Sequence, residues 1–297
     1  MCRVVDLQQA VLAKNDGAAR ALRTALAARG TAVVNLLSSP GSGKTALLER
    51  ELTLARERGV PVAALTADLA TENDALRLAR SGVPVKQVLT DGLCHLEAPM
   101  LGRHLEGWLP EDTRLLFVEN VGNLVCPASY DLGESLRVVL ASVTEGEDKP
   151  LKYPTAFGLA QLVLVTKTDI AEAVEFDEAA FRANVQRVNP GVEVLLTSVR
   201  ADRGTGLLLE RALAVGAGAA AHAPVMARQQ GAAGHHGAGH DHDHDHEHEH
   251  EHDHGPGHAP DHDHGTGHTH PHGQGHTHTH GHGHGHAPTG PAVAQTR

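Results

Sequence analysis

Ala32-Val-Val-Asn-Leu-Leu37 leads without interruption into Ser38-Ser-Pro-Gly-Ser-Gly-Lys-Thr45. The first six residues are a short, mostly apolar run of the kind that fills a buried strand. The next eight are a variant of the pattern G-x-x-x-x-G-K-[ST], with Ser38 at the first glycine position. Glycines at 41 and 43 let successive backbone N–H groups turn inward around phosphate oxygens. Pro40, Gly41, Ser42 and Gly43 then form the expected cradle, Lys44 reaches the β- and γ-phosphates, and Thr45 sets its hydroxyl on Mg²⁺. A helical stretch follows to about Arg58, and its N-terminal dipole adds attraction for the anion. An ordinary glycine-rich turn between a strand and a helix needs neither that lysine nor that threonine.

The same alternation continues outward. Residues 17–29 read as an amphipathic helix, and 62–66, 85–89, 115–119, 136–143, 162–166 and 192–196 as strands. Helices are expected at 73–80, 95–108, 176–188 and 206–215. Strands alternating with helices imply an α/β fold with a doubly wound, mostly parallel sheet. Ligands in such sheets sit at the carboxyl ends of the strands. Several chemistry-bearing residues fall at those ends.

Thr166-Lys-Thr-Asp169 closes an apolar strand. It resembles the N-K-x-D signature that reads guanine, with Thr166 in place of Asn. The Asp169 carboxylate can accept from guanine N1–H and the exocyclic amine, a donor pair adenine lacks, and such a site discriminates by roughly 10⁴ or more. Lys167 lays its stem along the base. Ser198, after the last strand, takes the place of a third base-contacting loop. Glu119 ends the strand 115–119 and is followed by Asn-Val-Gly122, an E-x-x-G arrangement suited to hold Mg²⁺ and sense the γ-phosphate. Asp68 follows the second strand and is a further Mg²⁺ candidate. The competing reading of each is a solvated carboxylate at a strand end, and it is the weaker one, more so for Glu119 than for Asp68.

Composition divides the chain in two. Residues 1–223 are mixed and apolar-rich, the size of one α/β domain; residues 224–297 have almost no large apolar side chains and hold 22 of the 25 histidines. That tail cannot offset its chain entropy by burial and reads as disordered. The formal net charge of −11 is concentrated there, with nine acidic residues between Asp241 and Asp263. The remainder is near neutral, which gives no nucleic-acid surface. No apolar run is long enough to span a membrane, and the N-terminus lacks the core of a signal peptide. An odd cysteine count, three, without an export signal favours thiols or metal ligands over disulfides and a cytoplasmic protein.

Cys94 and His95 are adjacent, and Cys126 lies seven residues past Glu119. Two thiolates and an imidazole suit Ni²⁺ or Zn²⁺. Three ligands are few for a closed site, so sharing across a dimer axis would complete it. By spacing alone, the cysteines are equally well read as small buried hydrophobes and His95 as a helix N-terminal residue. In the tail, His240, His242, His244, His246, His248, His250, His252 and His254 alternate with Asp and Glu. His-x-His in an extended chain brings imidazoles to one side, and the acids lower the charge cost of bound cations; imidazole affinity for Ni²⁺ generally exceeds that for Fe²⁺ or Mn²⁺. An affinity tag is the bland reading, but tags are short and contiguous.

These stretches resemble a known family, the HypB nickel-incorporation GTPases of [NiFe]-hydrogenase maturation. The likeness covers residues 1 to about 217. It rests on Val11-Leu-Ala-Lys-Asn-Asp16, on the segment 35–45, on Cys94-His95, on Glu119-Asn-Val-Gly-Asn-Leu-Val-Cys126, and on Thr144-Glu-Gly-Glu-Asp-Lys-Pro-Leu-Lys-Tyr-Pro154. The resemblance implies GTP hydrolysis with Mg²⁺, a nucleotide-dependent homodimer, and a Ni²⁺ or Zn²⁺ site at Cys94, His95 and Cys126. It also implies two partners, the hydrogenase large subunit and a companion nickel-binding maturation protein. The sequence departs from the family in three places. Cys2 stands alone where some members carry a Cys-rich nickel motif, the histidine tract follows the GTPase domain instead of preceding it, and Thr166 replaces Asn. Two other readings compete. A urease-maturation GTPase is expected to carry Cys-Pro-His, whereas Cys126-Pro127 is followed by Ala128. A metal buffer with a vestigial GTPase domain would not need intact Lys44, Thr45, Glu119 and Asp169.

Overall fold

The computed structural model describes residues 2–68, 73–90 and 92–227, with side chains from residue 9 onward. The chain divides into two units, residues 1–240 and 241–297, and every described residue lies in the first. The histidines from His240 to His254 lie outside the described residues, as does the expected disorder of the tail.

Seven strands form one parallel sheet: β1 (Ala32–Ser38), β2 (Val62–Asp68), β3 (Val85–Leu89), β4 (Leu115–Glu119), β5 (Leu136–Ser142), β6 (Leu162–Thr166) and β7 (Val194–Leu196), in the order β3-β2-β4-β1-β5-β6-β7. The register sets Asn35 of β1 beside Val118 of β4, and Leu36 beside Glu119. Chain order reverses around β1, so the loop after it opens at the switch point where such sheets bind ligands. Side chains alternate faces along a strand. In β4, Leu115 and Phe117 join one apolar layer with Leu48, Leu52 and Leu208, while Leu116 and Val118 join another with Leu26, Leu96 and Leu101. Both faces are covered by helices, which is why the strand is apolar throughout.

The helices are α1 (Cys2–Ala28), α2 (Lys44–Glu57), α3 (Asn73–Ala79), α4 (Ala98–Leu105), α5 (Lys149–Lys152), α6 (Pro154–Gly158), α7 (Glu178–Val188) and α8 (Leu207–Gly216). Two expected boundaries are corrected. The first helix does not begin at residue 17 but runs through Gly17, whose surroundings are open; one interior glycine costs only ~1 kcal/mol against alanine. The helix expected from residue 95 begins at Ala98, because Pro99 occupies its first turn and Glu97 before it is extended. Cys94 and His95 therefore sit on a loop. At α8, Gly206 supplies no side-chain cap, and the buried Glu51 of α2 accepts instead from Gly206 N at 2.7 Å and Leu209 N at 3.0 Å.

The stretch 144–154, specific but unexplained by sequence reasoning, is a packed connection between β5 and β6. Ser142 and Glu145 form a reciprocal capping box. Lys149 pairs with Glu145 at 2.7 Å and lies 4.6 Å over the ring of Tyr153. The Glu147 carboxylate accepts from Asp177 N and its carbonyl accepts from Asn184, which ties the segment to α7.

Candidate nucleotide site and metal centre

The phosphate loop has the conformation its composition requires. Gly41 (φ 72°) and Gly43 (φ 94°) occupy left-handed backbone that glycine enters without a Cβ clash. Ser38, at the position of the first motif glycine, is buried and organises the interior of the loop. It accepts from Lys44 Nζ at 2.9 Å and from Ser42 Oγ at 2.5 Å. Thr45 Oγ1 donates to Glu119 Oε1 at 2.6 Å. Pro40, Gly41, Ser42, Gly43, Lys44 and Thr45 line a cavity of about 530 Å³ together with Asp68, Glu119, Asn120 and Gly122. Thus the proposed cradle and all three proposed Mg²⁺ ligands share one cleft. Asp74 and Arg77 of α3 line it too. Neither belongs to a recognisable motif, so only the packing of α3 beside β2 reveals them.

Burial pulls both charged groups of the cleft toward neutrality. It lowers the Lys44 pKa, against the opposing attraction of Glu119. It raises the Glu119 carboxyl, against Lys44 and the Thr45 hydrogen bond. Glu119 Oε2 is buried and makes no hydrogen bond of good geometry among the described residues, although the Thr66 hydroxyl also draws the carboxyl pKa down. A divalent cation beside phosphates supplies what that oxygen lacks, so the residues fit Mg²⁺. Gly122 leaves room for close packing: an added Cβ would lie 3.2 Å from Pro40 Cα. The loop after Glu119 thus rests directly on the phosphate loop.

The residues expected to read the base gather on the other side of that loop. Thr166 Oγ1 donates to the Ser42 carbonyl at 2.5 Å, and Lys167 Nζ donates to the Gly41 carbonyl at 2.7 Å. Ser198 Oγ donates to Asp169 Oδ1 at 2.5 Å, a bond that holds the Asp169 carboxyl below the usual carboxylate range. Asp169 and Ser198, distant in sequence, are thereby one unit. They do not line the phosphate cleft.

Cys94, His95 and Cys126 come together: one ligand atom from each lies within 4.8 Å of the others. The Cys94 thiol is pushed up by its hydrogen bond with Cys126, by burial and by the Cys126 charge. A pair of thiols that resist sharing negative charge is the environment a cation relieves. Burial lowers the His95 pKa, although Glu97 opposes it, a direction that favours the neutral, ligating imidazole. His95 Nε2 is buried, and Glu97 Oε1, at 3.7 Å, is too far for a hydrogen bond of ordinary length. The Tyr130 ring stacks on His95 with centroids 4.0 Å apart; sequence reasoning gave no sign of this residue. Asn120, next to Glu119, accepts from Leu96 N at 3.4 Å, and Asn123 donates to the Cys94 carbonyl at 3.5 Å. The segment from Glu119 to Cys126 therefore touches the Cys94-His95 loop at two points.

An all-parallel sheet, a phosphate loop at its switch point and a Thr45–Glu119 contact in the cleft define a phosphate-loop nucleotide-binding protein. The model for the nucleotide-binding domain of CobW, HypB and UreG proteins matches residues 32–196. The hydrogenase maturation factor HypB of Azotobacter chroococcum mcd 1 is 48% identical over 205 residues, which is 69% of this chain and 67% of that protein. The crystal structure of HypB from Helicobacter pylori in complex with nickel superposes with a TM-score of 0.62 at 38% identity, covering 67% of this chain and 95% of the other. HypB from Archaeoglobus fulgidus gives a TM-score of 0.64 at 35% identity, covering 69% of this chain and all of that one. The chain belongs to the HypB family of hydrogenase maturation factors. Among the described residues, no helix is long and apolar enough to cross a membrane.

Proposed function

We propose that this protein is a GTP-hydrolysing nickel metallochaperone that gates Ni²⁺ insertion into [NiFe]-hydrogenase, with Ni²⁺ stored on its histidine-rich tail. The observation that carries this reading is the convergence of Cys94 and His95 with Cys126, which sits on the loop whose other end is Glu119 in the phosphate cleft. One metal ligand, Cys126, and the proposed γ-phosphate sensor, Glu119, share one short segment. Six intervening residues span at most ~25 Å fully extended.

The chain's own residues divide the work. Asp169 and Ser198 select guanine, and Lys167 packs along it. Backbone N–H groups of the loop 40–45 hold the phosphates, and Lys44 offsets charge on the transferring phosphoryl as GTP becomes GDP and phosphate. Thr45, Glu119 and Asp68 would hold Mg²⁺, which when bound neutralises charge between the β- and γ-phosphates. The γ-phosphate orders the segment 120–125, and hydrolysis releases it. Through Asn120 and Asn123 that change reaches Leu96 and Cys94. Cys94, His95 and Cys126 hold Ni²⁺ as cargo, and Zn²⁺ fits the same donors. Three ligands leave the shell open, so a GTP-dependent homodimer that joins two such sets completes it. Delivery then involves the hydrogenase large subunit and a companion nickel-binding maturation protein, in the cytoplasm.

A ligand shifts such a loop only by its differential affinity for the two states, so the coupling is reciprocal. The test is Ni²⁺ titration of protein truncated after Ala227, with GDP and with a non-hydrolysable GTP analogue. Nickel affinity should differ between the two, and Cys126→Ala should abolish the difference while leaving nucleotide binding. Equal affinity and stoichiometry in both states would end the coupling.

A further inference from the structure

Val11-Leu-Ala-Lys-Asn-Asp16 carries part of the family likeness, yet it lies on α1 and supplies none of the proposed nucleotide or metal ligands. Its Asn15 is almost fully buried, 3% exposed, between the exposed Lys14 and the half-buried Asp16. Its carboxamide spans two loops. Nδ2 donates to the Asp131 carbonyl at 2.8 Å, and Oδ1 accepts from Ala98 N at 2.9 Å. Ala98 stands three residues after His95, and Asp131 directly follows Tyr130, the residue stacked on the His95 ring. One turn, Pro127–Ser129, separates Tyr130 from Cys126. One side chain therefore joins the loop that carries Cys94 and His95 to the loop that carries Cys126.

The surroundings show that this bridge is specific. Ala98 opens α4, where the flanking Glu97 makes no side-chain cap, so Asn15 caps that helix from a different element. Arg23, two turns further along α1, grips the Asp131 carboxylate through Nη2 at 2.7 and 2.8 Å to its two oxygens. Gly133 brings the same loop so close to α1 that a Cβ there would lie 2.7 Å from the Ala19 carbonyl. Asn15, Ala19 and Arg23 are spaced at four residues and form one stripe of the helix. That stripe packs against residues 131–133, and Asn15 reaches across to residue 98 as well.

We propose that Asn15 is a positioning residue for the metal centre. It sets the separation of the Cys94-His95 and Cys126 loops before metal arrives, and so raises affinity without touching the ion. This rests on the reading of Cys94, His95 and Cys126 as the nickel site. Partners that orient metal ligands from behind typically contribute 10–100-fold in affinity.

The test uses the full chain and Ni²⁺ buffered by a competing chelator, so that binding to tail imidazoles does not alter the free metal. Thiolate-to-nickel charge-transfer absorption reports cysteine ligation alone. Asn15→Ala should need roughly tenfold more free Ni²⁺ for half-maximal absorption, with GDP affinity unchanged. Arg23→Met removes only the partly exposed grip on Asp131, and it should shift nickel affinity in the same direction by less; it serves also where Asn15→Ala fails to fold. Wild-type nickel affinity in the folded variants would overturn the proposal. So would an equal loss of nickel and GDP affinity, which marks a general stability role. Absence of the thiolate band in the wild type would instead overturn the metal site itself.

Discussion

Thr166→Val isolates the contact that replaces the usual Asn of the base-reading motif. Valine has nearly the same shape, so no cavity forms and β6 keeps a β-branched residue. What disappears is one O–H donor, 2.5 Å from the Ser42 carbonyl, between residues exposed by only 4% and 1%. Leaving a buried acceptor without its donor costs about 1–3 kcal/mol. For a domain of this size each kcal/mol moves Tm by roughly 2–4 °C, so the variant should melt about 5 °C lower. Because Ser42 belongs to the phosphate cradle, GDP should also bind more weakly. Thr166→Asn is the informative partner, since its carboxamide N–H can reach the same carbonyl and should recover most of the loss. Thermal unfolding followed by circular dichroism, with GDP titration calorimetry, measures both. A Tm for Thr166→Val within about one degree of wild type would show that the bond carries no net stability, and the tether between base loop and phosphate loop would fall with it.

Asp169→Asn should weaken GTP and favour xanthosine triphosphate, whose 2-oxo group accepts a hydrogen bond from the new amide; unchanged preference in competition binding would refute Asp169 as the base reader. Burial raises the Glu51 carboxyl even though two backbone N–H groups pull it down. The folded protein thus holds that proton more tightly than the unfolded chain, so the contribution is fully present below the unfolded pKa and lost as pH rises through the folded one. Glu51→Gln cannot ionise and should flatten that fall; parallel denaturant-derived stability curves for variant and wild type would contradict it. Truncation after Ala227 should leave GTPase activity intact and remove most bound Ni²⁺, and equal nickel stoichiometry with the full chain would rule out storage on the tail. The cut is placed beyond the apolar-rich stretch that ends at Ala223 because the sulfur of Met226 fills the space beside Gly158.

Much of this protein is written locally. The run 32–45 specifies strand, phosphate loop and helix because each step depends on near neighbours: apolar side chains, two glycines with positive φ, then a lysine and a threonine at the helix start. Strand-end residues Glu119 and Asp169 were legible for the same reason, as were the strands themselves, since burial on both faces leaves only apolar residues. By spacing alone, Cys94, His95 and Cys126 could not be told from core residues; family resemblance pointed to them, and folding brings them within 4.8 Å. Residues whose partners are distant in sequence carried no local signal. Asn15 meets Asp131, Glu51 meets Gly206, Ser198 meets Asp169, and Tyr130 meets His95 only because helices α1, α2 and α8 and the strand-end loops pack where they do. A side chain's hydrogen-bonding capacity is fixed by its type, but which group satisfies it is decided by what the tertiary fold buries beside it.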